Sequence, residues 1–496
     1  MTGGEQRTSD LIRTKIVATM GPAVTQTRDL RALLAAGVDV CRLNFSHGEL
    51  DGHGTMLAAI RKEADKLDKR VAILGDLGGP KIRVGDVDED NPAGGMAIDV
   101  GDELVIQRDD ILGKHGTISV TYKGLVDDVE VGDRLYIEDG LLRFVCIRKE
   151  ADRIALRCTA GGVIKTRKGV NLPSTKLKLP SITQRDWACV DWAIENDLDY
   201  LALSFVRRAG DIHQLRERLQ SKQSHIGIIA KIEKAEAIEQ IDAIIAAADG
   251  LMVARGDLGV EMDLARVPLM QKDLIERCRR AGKPAIVATQ MLQSMVDAAS
   301  PTRAEVSDVA NAIFDGTDAT MLSGETSVGK FPVGAVHVMQ HVASATEDFL
   351  VGRGGGPEGA SDAPGMVVSQ ATAKAVRRLL ETMPCKLVVV YSHTGDTARI
   401  FAKQRFDVPV VALSADDRRL RQMALHYGVV PLHLESPGNL QELARDVDSL
   451  VQDRELADPG DRIVLVAGRS MGAPGTMNGI VIHTIGHDPI DPLAND

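Results

Sequence analysis

The sequence is poor in aromatic residues and in cysteine, and it lacks long apolar runs. Aromatic side chains make up 3% of its 496 residues. The six cysteines are scattered, with no Cys-x-x-Cys pair and no histidine at zinc-ligand spacing, so we expect free buried thiols in a reducing compartment. No apolar run approaches the ~20 residues of a membrane span, and the first residues lack the apolar core of a signal peptide. We therefore expect a cytoplasmic protein.

Basic residues are also outnumbered by acidic ones, 59 to 70. The formal net charge is −11, which argues against nucleic acid or an anionic membrane as the main partner, because both require a basic surface. A protein of this charge that handles phosphates would need local clusters of cations or metal ions. The length of 496 residues predicts about three domains.

Eight short apolar runs, rich in β-branched residues, alternate with segments of helical periodicity. Near-continuous apolar strands that alternate with helices are typical of a closed parallel barrel, so we predict a (β/α)8 TIM barrel. The eight runs cover residues 14–21, 38–45, 71–77, 200–206, 226–233, 250–257, 284–291 and 318–325.

Two further regions interrupt and follow this barrel, which we assign to residues 1–83 and 180–351. Residues 84–179 alternate with period two and contain the hairpin dipeptide Asp139-Gly140, which predicts an inserted all-β lid domain. The alternative is an appendage that only adds stability. Residues 352–365 are glycine-rich and predict a linker. Residues 366–496 run helix, strand, helix, strand, helix, strand, helix, strand, strand, which predicts a C-terminal open α/β sheet domain.

Polar residues stand at the ends of the predicted barrel strands. Barrel enzymes carry their active sites at the carboxyl ends of the strands, so these residues are the candidates for a site. The first three strands and the loops after them supply Thr19, Arg42, Asn44, Ser46, Asp76 and Arg83. The last four supply Lys231, Glu233, Arg255, Asp257, Thr289, Gln290, Ser323 and Glu325.

Lys231 and Glu233 are two residues apart on one strand, so both side chains point to the same face. Asp257 ends the next strand and supplies a second carboxylate, and two hard oxygen ligands favour Mg²⁺ or Mn²⁺ over zinc. Lys231 and Arg42 add fixed positive charge of the kind that phosphoryl transfer requires. The turn at residues 255–259 has backbone N–H groups that could hold a substrate carboxylate. These residues predict metal-assisted phosphoryl transfer.

At these positions the sequence resembles the pyruvate kinases. The matching stretches include CRLNFSHG at residues 41–48, MVARGDLGVE at 252–261 and MLSGET at 321–326, and together they span nearly the whole chain in the family's order. The resemblance implies transfer of a phosphoryl group from phosphoenolpyruvate to ADP, giving pyruvate and ATP, the last step of glycolysis. It also implies a homotetramer.

The resemblance assigns roles to individual residues. Glu233 and Asp257 would bind Mg²⁺, Lys231 would stabilise the migrating phosphoryl group and the enolate, and Arg42 would hold the phosphate. The N–H groups of Gly256 and Asp257 would receive the carboxylate beside Thr289, and Ser323 would join Thr289 and ordered water in a proton relay. The residues on the nucleotide side, where a second Mg²⁺ accompanies ADP, would be Asn44, His47, Arg83 and Lys168.

One departure from the family concerns K⁺. Many members bind K⁺ through residues that correspond to Asn44, Ser46, Asp76 and the main chain of Leu77. This chain has Lys81 where those members have a glutamate. An ammonium group there could replace the charge of K⁺, so we expect that activity does not require K⁺. The alternative is that Lys81 is solvated and K⁺ still binds.

A second departure concerns the loop in which the family binds a phosphorylated activator. The candidate effector residues are Ser392, Thr394, Gly395 and Thr397, whose hydroxyls and backbone precede a predicted helix. The alternative is a simple helix cap. Asp396 stands where many members have Lys or Arg, which favours a monophosphorylated sugar or nucleotide over fructose 1,6-bisphosphate.

Two other functions are less compatible with the sequence. A dikinase would need a phosphohistidine domain and an ATP-grasp domain, for which the chain has no room. A metabolite sensor without activity would be expected to have lost Lys231, Glu233 or Asp257, and all three are present.

Overall fold

The computed structural model describes residues 11–351, 366–468 and 477–487. The predicted linker at 352–365 lies outside the described residues, as do the two ends of the predicted domains, 1–10 and 488–496.

The chain begins with three strands of the barrel. They are β1 (Lys15–Thr19), β2 (Val40–Asn44) and β3 (Ala72–Asp76), and they are separated by the helices α1 (Thr27–Ala35) and α2 (Leu50–Lys66). Every residue of β1 and β3 is buried, because strands in a barrel are covered by side chains inside and by helices outside.

The inserted domain follows β3 and has its own hydrophobic core, built around Phe144. Its strands form a six-stranded sheet in the order β11-β7-β8-β9-β5-β6 and a two-stranded sheet of β10 and β4. The elements are β4 (Met96–Ile98), β5 (Glu103–Gln107), β6 (Thr117–Ser119), α3 (Leu125–Asp128), β7 (Arg134–Ile137), β8 (Leu142–Lys149), β9 (Arg153–Ala160), β10 (Gly162–Ile164) and β11 (Val170–Asn171).

The predicted hairpin at Asp139-Gly140 is confirmed. β7 pairs antiparallel with β8, and the turn between them has φ values of 53° at Glu138, 52° at Asp139 and 87° at Gly140. Positive φ at successive turn residues matches the twist of the flanking strands, which explains the Asp-Gly pair.

The chain then returns to the barrel, whose eight parallel strands close through pairing of β1 with β16. The prediction of a TIM barrel is confirmed. The remaining barrel elements are α4 (Gln184–Glu195), β12 (Tyr200–Leu203), α5 (Ala209–Ser221), β13 (Gly227–Ile232), α6 (Ala235–Ile238), α7 (Ile241–Ala247), β14 (Gly250–Ala254), α8 (Arg255–Glu261), α9 (Val267–Arg280), β15 (Ala285–Ala288), α10 (Arg303–Phe314), β16 (Ala319–Leu322), α11 (Gly324–Ser327) and α12 (Pro332–Val351).

The C-terminal domain has the predicted alternation and the predicted open sheet. The order is β19-β18-β17-β20-β21, with only β21 antiparallel to its neighbour among the described strands. Its elements are α13 (Val367–Thr382), β17 (Leu387–Tyr391), α14 (Asp396–Ala402), β18 (Val410–Ser414), α15 (Asp417–Met423), β19 (Val429–His433), α16 (Leu440–Asp453), β20 (Arg462–Gly468) and β21 (Met477–Thr484).

Buried ion pairs join the C-terminal domain to the amino-terminal end of the barrel strands. Lys403 Nζ lies 2.6 Å from Asp318 Oδ2, and Arg405 lies 3.3 Å from Asp318 Oδ1. Arg421 lies 2.9 Å from Asp199, immediately before β12. The C-terminal domain therefore packs against the amino-terminal ends of the barrel strands, and the inserted domain lies at their carboxyl ends. The exact domain limits stay a prediction.

Within the part of the chain that the structure describes, no helix is both long and apolar enough to cross a bilayer.

Candidate active site

A cleft of about 870 Å³ lies between the inserted domain and the carboxyl ends of the barrel strands. Asp139 and Arg143 line it from the inserted domain, and Gly256 and Asp257 line it from α8 of the barrel. A TIM barrel presents its strand ends to this space, so the side chains that end the strands face the cleft and one another.

Lys231, on β13, is at the centre of the strand ends. Its Nζ lies 3.1 Å from Asp76 Oδ1 and 2.9 Å from Glu233 Oε1, and it donates a hydrogen bond of 2.7 Å to Ser204 Oγ. Burial opposes the charged form, but the carboxylates of Asp76 and Glu233 outweigh it and raise the pKa of Lys231. The ammonium group is therefore a permanent positive charge at the mouth of the barrel.

Asp76, the last residue of β3, joins Lys231 to Arg42. Arg42 Nε donates to Asp76 Oδ2 at 2.7 Å, and Arg42 Nη1 donates to Thr19 Oγ1 at 2.9 Å. Burial would raise the pKa of Asp76, but Lys231 and Arg42 hold it below its ordinary value. One buried carboxylate thus positions both cations.

Glu233 and Asp257 are the two predicted metal ligands. Glu233 is buried, and its Oε2 accepts a 2.7 Å hydrogen bond from the N–H of Phe205. Burial raises the pKa of Glu233 against the pull of Lys231, and the carboxylate of Asp257 raises it further. Two carboxylates that repel each other beside a cleft fit a divalent cation. No group of three or more His, Cys, Asp or Glu side chains suited to a metal occurs within the described ranges, so substrate and water would complete the coordination.

The turn after β14 meets the end of β15. The N–H of Gly256 donates to Thr289 Oγ1 at 2.8 Å, and Arg255 donates to the Thr289 carbonyl at 2.9 Å. Thr289 has a φ of 72°, in the left-handed region that a β-branched residue rarely adopts. Backbone strain of this kind is common at functional sites, where the surrounding structure enforces it.

Ser323 follows β16. Its N–H donates to Glu325 Oε2 at 2.7 Å, while its hydroxyl is buried without a hydrogen-bond partner among the described residues. The buried carboxylate of Glu325 also accepts from the N–H of Leu292 at 3.0 Å, so it fixes the loops after both β15 and β16.

The four predicted nucleotide residues fall into two pairs. Arg83 and Lys168 lie where the inserted domain leaves the barrel: Arg83 Nη1 donates to the Arg167 carbonyl at 3.0 Å, and Lys168 forms an ion pair with Glu138. Asn44 ends β2 and His47 lies in the loop after it, where Asn44 Oδ1 accepts from the Ser46 N–H at 3.2 Å. In the described structure, no hydrogen bond or ion pair joins one pair to the other.

The residues predicted for K⁺ are already engaged. Both carboxylate oxygens of Asp76 contact cations, and the Leu77 carbonyl accepts a 2.6 Å hydrogen bond from Ser204 Oγ. Lys81 is exposed and lines the cleft with Asp139 and Asp257, and no hydrogen bond or ion pair joins it to Asn44 or Ser46 within the described ranges. The positive charge that neutralises the Asp76 carboxylate is supplied by Arg42 and Lys231.

The predicted effector loop joins β17 to α14. The Ser392 hydroxyl is buried and has no hydrogen-bond partner within the described ranges, and Thr397 is also buried. Thr394 Oγ1 donates to Asp396 Oδ2 at 2.9 Å, and Gly395 has a φ of 87° that favours glycine.

Sequence reasoning missed Ser204, the residue after β12. Its hydroxyl accepts from Lys231 and donates to the Leu77 carbonyl, so it connects Lys231 to the residue that follows β3. The rule that singled out polar residues at the other strand ends would have found Ser204, but the fourth strand was considered only as an apolar run.

The chain is similar to known proteins over most of its length. The family model described as "Pyruvate kinase, barrel domain" matches residues 11–336, and "Pyruvate kinase, alpha/beta domain" matches residues 370–483. Among curated relatives, the pyruvate kinase of Geobacillus stearothermophilus is 42% identical over 95% of this chain and 80% of its own length. That of Bacillus licheniformis is 40% identical over 96% of this chain and 80% of its own length.

A solved structure is similar as well. The crystal structure of a pyruvate kinase from Cryptosporidium parvum superimposes with a TM-score of 0.87 at 33% sequence identity, covering 96% of this chain and 97% of that one. The barrel, the inserted domain and the C-terminal domain are therefore all part of the match.

Proposed function

The chain belongs to the pyruvate kinase family and is a phosphotransferase, and on this premise we propose how its residues transfer the phosphoryl group of phosphoenolpyruvate to ADP. The observation that carries the proposal is the Lys231 ammonium group, held within 3.1 Å of both Asp76 and Glu233 at the carboxyl ends of the barrel strands. Both substrates are anionic, so a site that brings them together must concentrate positive charge.

Glu233 and Asp257 would hold a Mg²⁺ or Mn²⁺ ion. The raised pKa of Glu233, caused by burial and by the like charge of Asp257, supports this role. When bound, the ion would neutralise charge that develops on the enolate and phosphoryl oxygens. Lys231 lies 3.1 Å from Asp76, which would hold its ammonium group in place for the substrate.

Lys231 and Arg42 would bind the phosphoryl oxygens, with Asp76 fixing the direction of both side chains. The N–H groups of Gly256 and Asp257 would bind the carboxylate of phosphoenolpyruvate. The Gly256 N–H now donates to Thr289 Oγ1, so the arriving carboxylate would take over this donor and leave the Thr289 hydroxyl, which donates to the Ala288 carbonyl at 2.6 Å, with a free acceptor position. The site thereby exchanges an internal hydrogen bond for one to the substrate.

Enolpyruvate must receive a proton before pyruvate leaves. The hydroxyl of Ser323, buried and without a partner in the described structure, supports a relay that runs through ordered water and Thr289. A free hydroxyl can both accept and donate, which a proton relay requires.

The phosphates of ADP would bind to Arg83 and Lys168, beside Asn44 and His47, with a second Mg²⁺ accompanying the nucleotide. Lys168 is paired with Glu138 in the free protein, so the nucleotide would have to displace Glu138. Arg83 and Lys168 stand at the base of the inserted domain. Nucleotide binding would therefore favour closure of that domain as a lid over the cleft, which excludes water as a competing acceptor.

A coupled assay of pyruvate formation from phosphoenolpyruvate and ADP tests this proposal. Wild type with Mg²⁺ should be active, and Lys231→Met should lose at least ~100-fold in kcat, in line with removal of a preorganised charge. Lys222→Met, an exposed lysine after α5, is the matched control and should retain activity. An inactive wild type, or a Lys231→Met variant as active as the control, would contradict the proposal.

We further propose that activity does not require K⁺. Arg42 and Lys231 occupy both oxygens of Asp76, which supports built-in positive charge at the position of the family's K⁺ site. Turnover measured in buffer free of K⁺ and Na⁺ should match turnover with added K⁺. A collapse of activity that K⁺ restores would show that the alternative, a K⁺ site with a solvated Lys81, is correct.

Allosteric activation by a phosphorylated metabolite is also part of the proposal, with the loop of Ser392, Thr394, Gly395 and Thr397 as the site. The buried, unpartnered Ser392 hydroxyl supports it within the described structure. Titrating initial rates with monophosphorylated sugars and nucleotides should reveal activation, whereas activation by low micromolar fructose 1,6-bisphosphate would contradict the predicted preference. We also propose that the chain assembles as a homotetramer and acts in glycolysis in the cytoplasm.

A further inference from the structure

A largely buried ion pair lies beside the two proposed metal ligands and has no part in the function proposed above. Glu233 follows β13, and Lys234 is the next residue, immediately before α6. Lys234 Nζ lies 2.5 Å from the Oε1 of Glu261, the last residue of α8. The side chain of Glu261 is 2% exposed and that of Lys234 is 14% exposed. Separating such a pair would leave a poorly solvated charge, so the pair holds its two segments together.

The ion pair connects the segments that contain the two metal ligands. Glu233 is the chain neighbour of Lys234, and Asp257 is in the first turn of α8, four residues before Glu261. Lys234 and Asp257 also line the same small cavity, of about 40 Å³, between the barrel and the inserted domain. Lys234 is therefore close to one ligand in space and adjacent to the other in the chain.

The two ligands differ in how they are held. The Glu233 carboxylate accepts from the Phe205 N–H at 2.7 Å and lies 2.9 Å from Lys231 Nζ. The Asp257 carboxylate, in contrast, forms no hydrogen bond or ion pair with any residue in the described parts of the chain. The position of this carboxylate is therefore determined by the backbone of α8.

The helix α8 is short, so the contacts at its two ends determine its direction. It has seven residues, which is about two turns. Arg255 fixes the first turn, because its guanidinium group donates to Asp308 at 2.7 Å. At the other end, Glu261 pairs with Lys234. Without the second contact, the helix would be free to turn about its first residues and to move the Asp257 carboxylate.

We propose that Lys234 is a positioning residue for the divalent metal, because its ion pair with Glu261 sets the separation of the Glu233 and Asp257 carboxylates. This inference rests on the proposed function, in which these two carboxylates hold the ion. Mg²⁺ requires its oxygen ligands at fixed distances and directions, so a displaced α8 would bind the ion more weakly even with both ligands present. Groups that orient the ligands of a metal commonly determine its affinity in this way.

Electrostatic attraction alone predicts the opposite effect. Lys234 is a cation beside a site for a cation, so removing its charge should strengthen metal binding. Glu261, left without its partner, would add uncompensated negative charge and increase the attraction further. Weaker metal binding after the loss of Lys234 therefore reports lost positioning and not lost charge.

Binding of Mn²⁺ to the full chain, measured without substrates by electron paramagnetic resonance of the free ion, tests the proposal independently of turnover. Lys234→Met should raise the Kd for Mn²⁺ roughly tenfold, and Lys234→Arg, which keeps the cation, should stay within about twofold of wild type. Lys272→Met is the matched control. It removes a lysine that pairs with the largely buried carboxylate of Asp315, but Lys272 is on α9 and does not line the cleft. Its Kd should equal that of wild type.

The proposal is overturned if Lys234→Met binds Mn²⁺ as tightly as wild type or more tightly, or if Lys272→Met loses as much affinity. Glu261→Met breaks the same pair from the other side and replaces Lys234→Met if that variant does not fold. Wild-type affinity in Glu261→Met would also overturn the proposal.

Glu233→Gln separates this inference from the proposed function. It removes a proposed ligand and should abolish Mn²⁺ binding whatever the role of Lys234. If Glu233→Gln loses Mn²⁺ and Lys234→Met does not, the metal site stands and the positioning role is wrong. If Glu233→Gln binds Mn²⁺ like wild type, the proposed metal site is wrong and the positioning role falls with it.

Discussion

At the scale of single residues, the Lys231 ammonium group donates to a hydroxyl that is itself fixed by a second hydrogen bond. Ser204 Oγ accepts from Lys231 at 2.7 Å and donates to the Leu77 carbonyl at 2.6 Å. Asp76 and Glu233 supply the charge that holds Lys231, but a carboxylate attracts a cation from many directions. The hydroxyl adds direction, because its own hydrogen bond to β3 fixes its position.

Ser204→Ala should therefore lower kcat while leaving the fold intact. Loss of one hydrogen bond to a charged group is worth about 1.5 kcal/mol, so we expect a decrease of roughly tenfold in kcat. The KM for ADP should stay within twofold, because the nucleotide residues lie elsewhere. Ser204→Thr retains the hydroxyl and should recover most of the activity. Steady-state kinetics of both variants check this, and a Ser204→Ala enzyme with wild-type kcat would contradict it.

At the scale of secondary-structure elements, Lys168 lies in the short segment between β10 and β11 of the inserted domain. This lysine pairs with Glu138 in the β7–β8 turn, whose residues have positive φ. The pair links two neighbouring segments of the inserted domain, and the proposed nucleotide site includes one of its members.

Lys168→Ala should raise the KM for ADP about tenfold and leave the KM for phosphoenolpyruvate within twofold. The reason is the loss of one cation that contacts the nucleotide phosphates, an effect of about 1 to 2 kcal/mol on binding. Lys165→Ala, an exposed lysine in the same segment, is the control and should behave like wild type. Equal changes in both KM values would indicate a general defect of the inserted domain instead.

The elements also show which parts of the fold local sequence patterns can predict. The eight barrel strands were predictable because a strand buried on both faces is a continuous apolar run. The ends of these strands are harder to predict. The sequence pattern extends the sixth strand to residue 257, whereas Arg255 begins α8. The segment between β13 and β14 holds two helices, α6 and α7, because Gln240 leaves the helical conformation at a position without glycine or proline.

The candidate site was predictable to the extent that it follows one rule, that strand ends in a barrel converge. Lys231, Glu233 and Asp76 were found in this way and do lie together. Contacts that depend on domain packing were not predictable. Lys403 and Asp318 are separated by 85 residues, and no periodicity of either segment indicates that they meet.

At the scale of the whole molecule, buried charge joins the C-terminal domain to the barrel. Lys403 and Arg405 reach from the end of α14 to Asp318, and His426 lies beside them. Charged groups in a domain boundary stabilise it only when each has a partner. We therefore expect the stability of this domain boundary to depend on pH.

His426 makes this response testable. Burial is the main reason that its pKa is about 3; Lys403 and Arg399 lower it further, while Asp318 and Asp396 oppose them. The folded state thus binds fewer protons than the unfolded state between pH 3 and 6.5, so this stability is present above about pH 6.5 and is lost as the pH falls. From pH 6.5 to 4.5, wild type should lose roughly 2 kcal/mol more than His426→Leu in the free energy of unfolding.

Urea unfolding of both proteins at the two pH values provides the measurement. Titration of carboxylates elsewhere is common to both proteins and cancels in the difference between them. An identical pH dependence for wild type and His426→Leu would mean that the pKa of His426 is not lowered by folding, and would contradict the prediction.

The six thiols of the molecule have a practical consequence. Five cysteines are buried and Cys385 is half-buried, and burial raises the pKa of Cys41 and Cys278 to about 12. Maleimides and iodoacetamide react with exposed thiolates, so the native chain should be nearly inert to them. A cysteine in place of Lys165 on the inserted domain and another in place of Lys222 on the barrel would then accept a fluorophore pair without removal of any native thiol. Energy transfer between the two dyes would record opening and closing of the cleft during turnover.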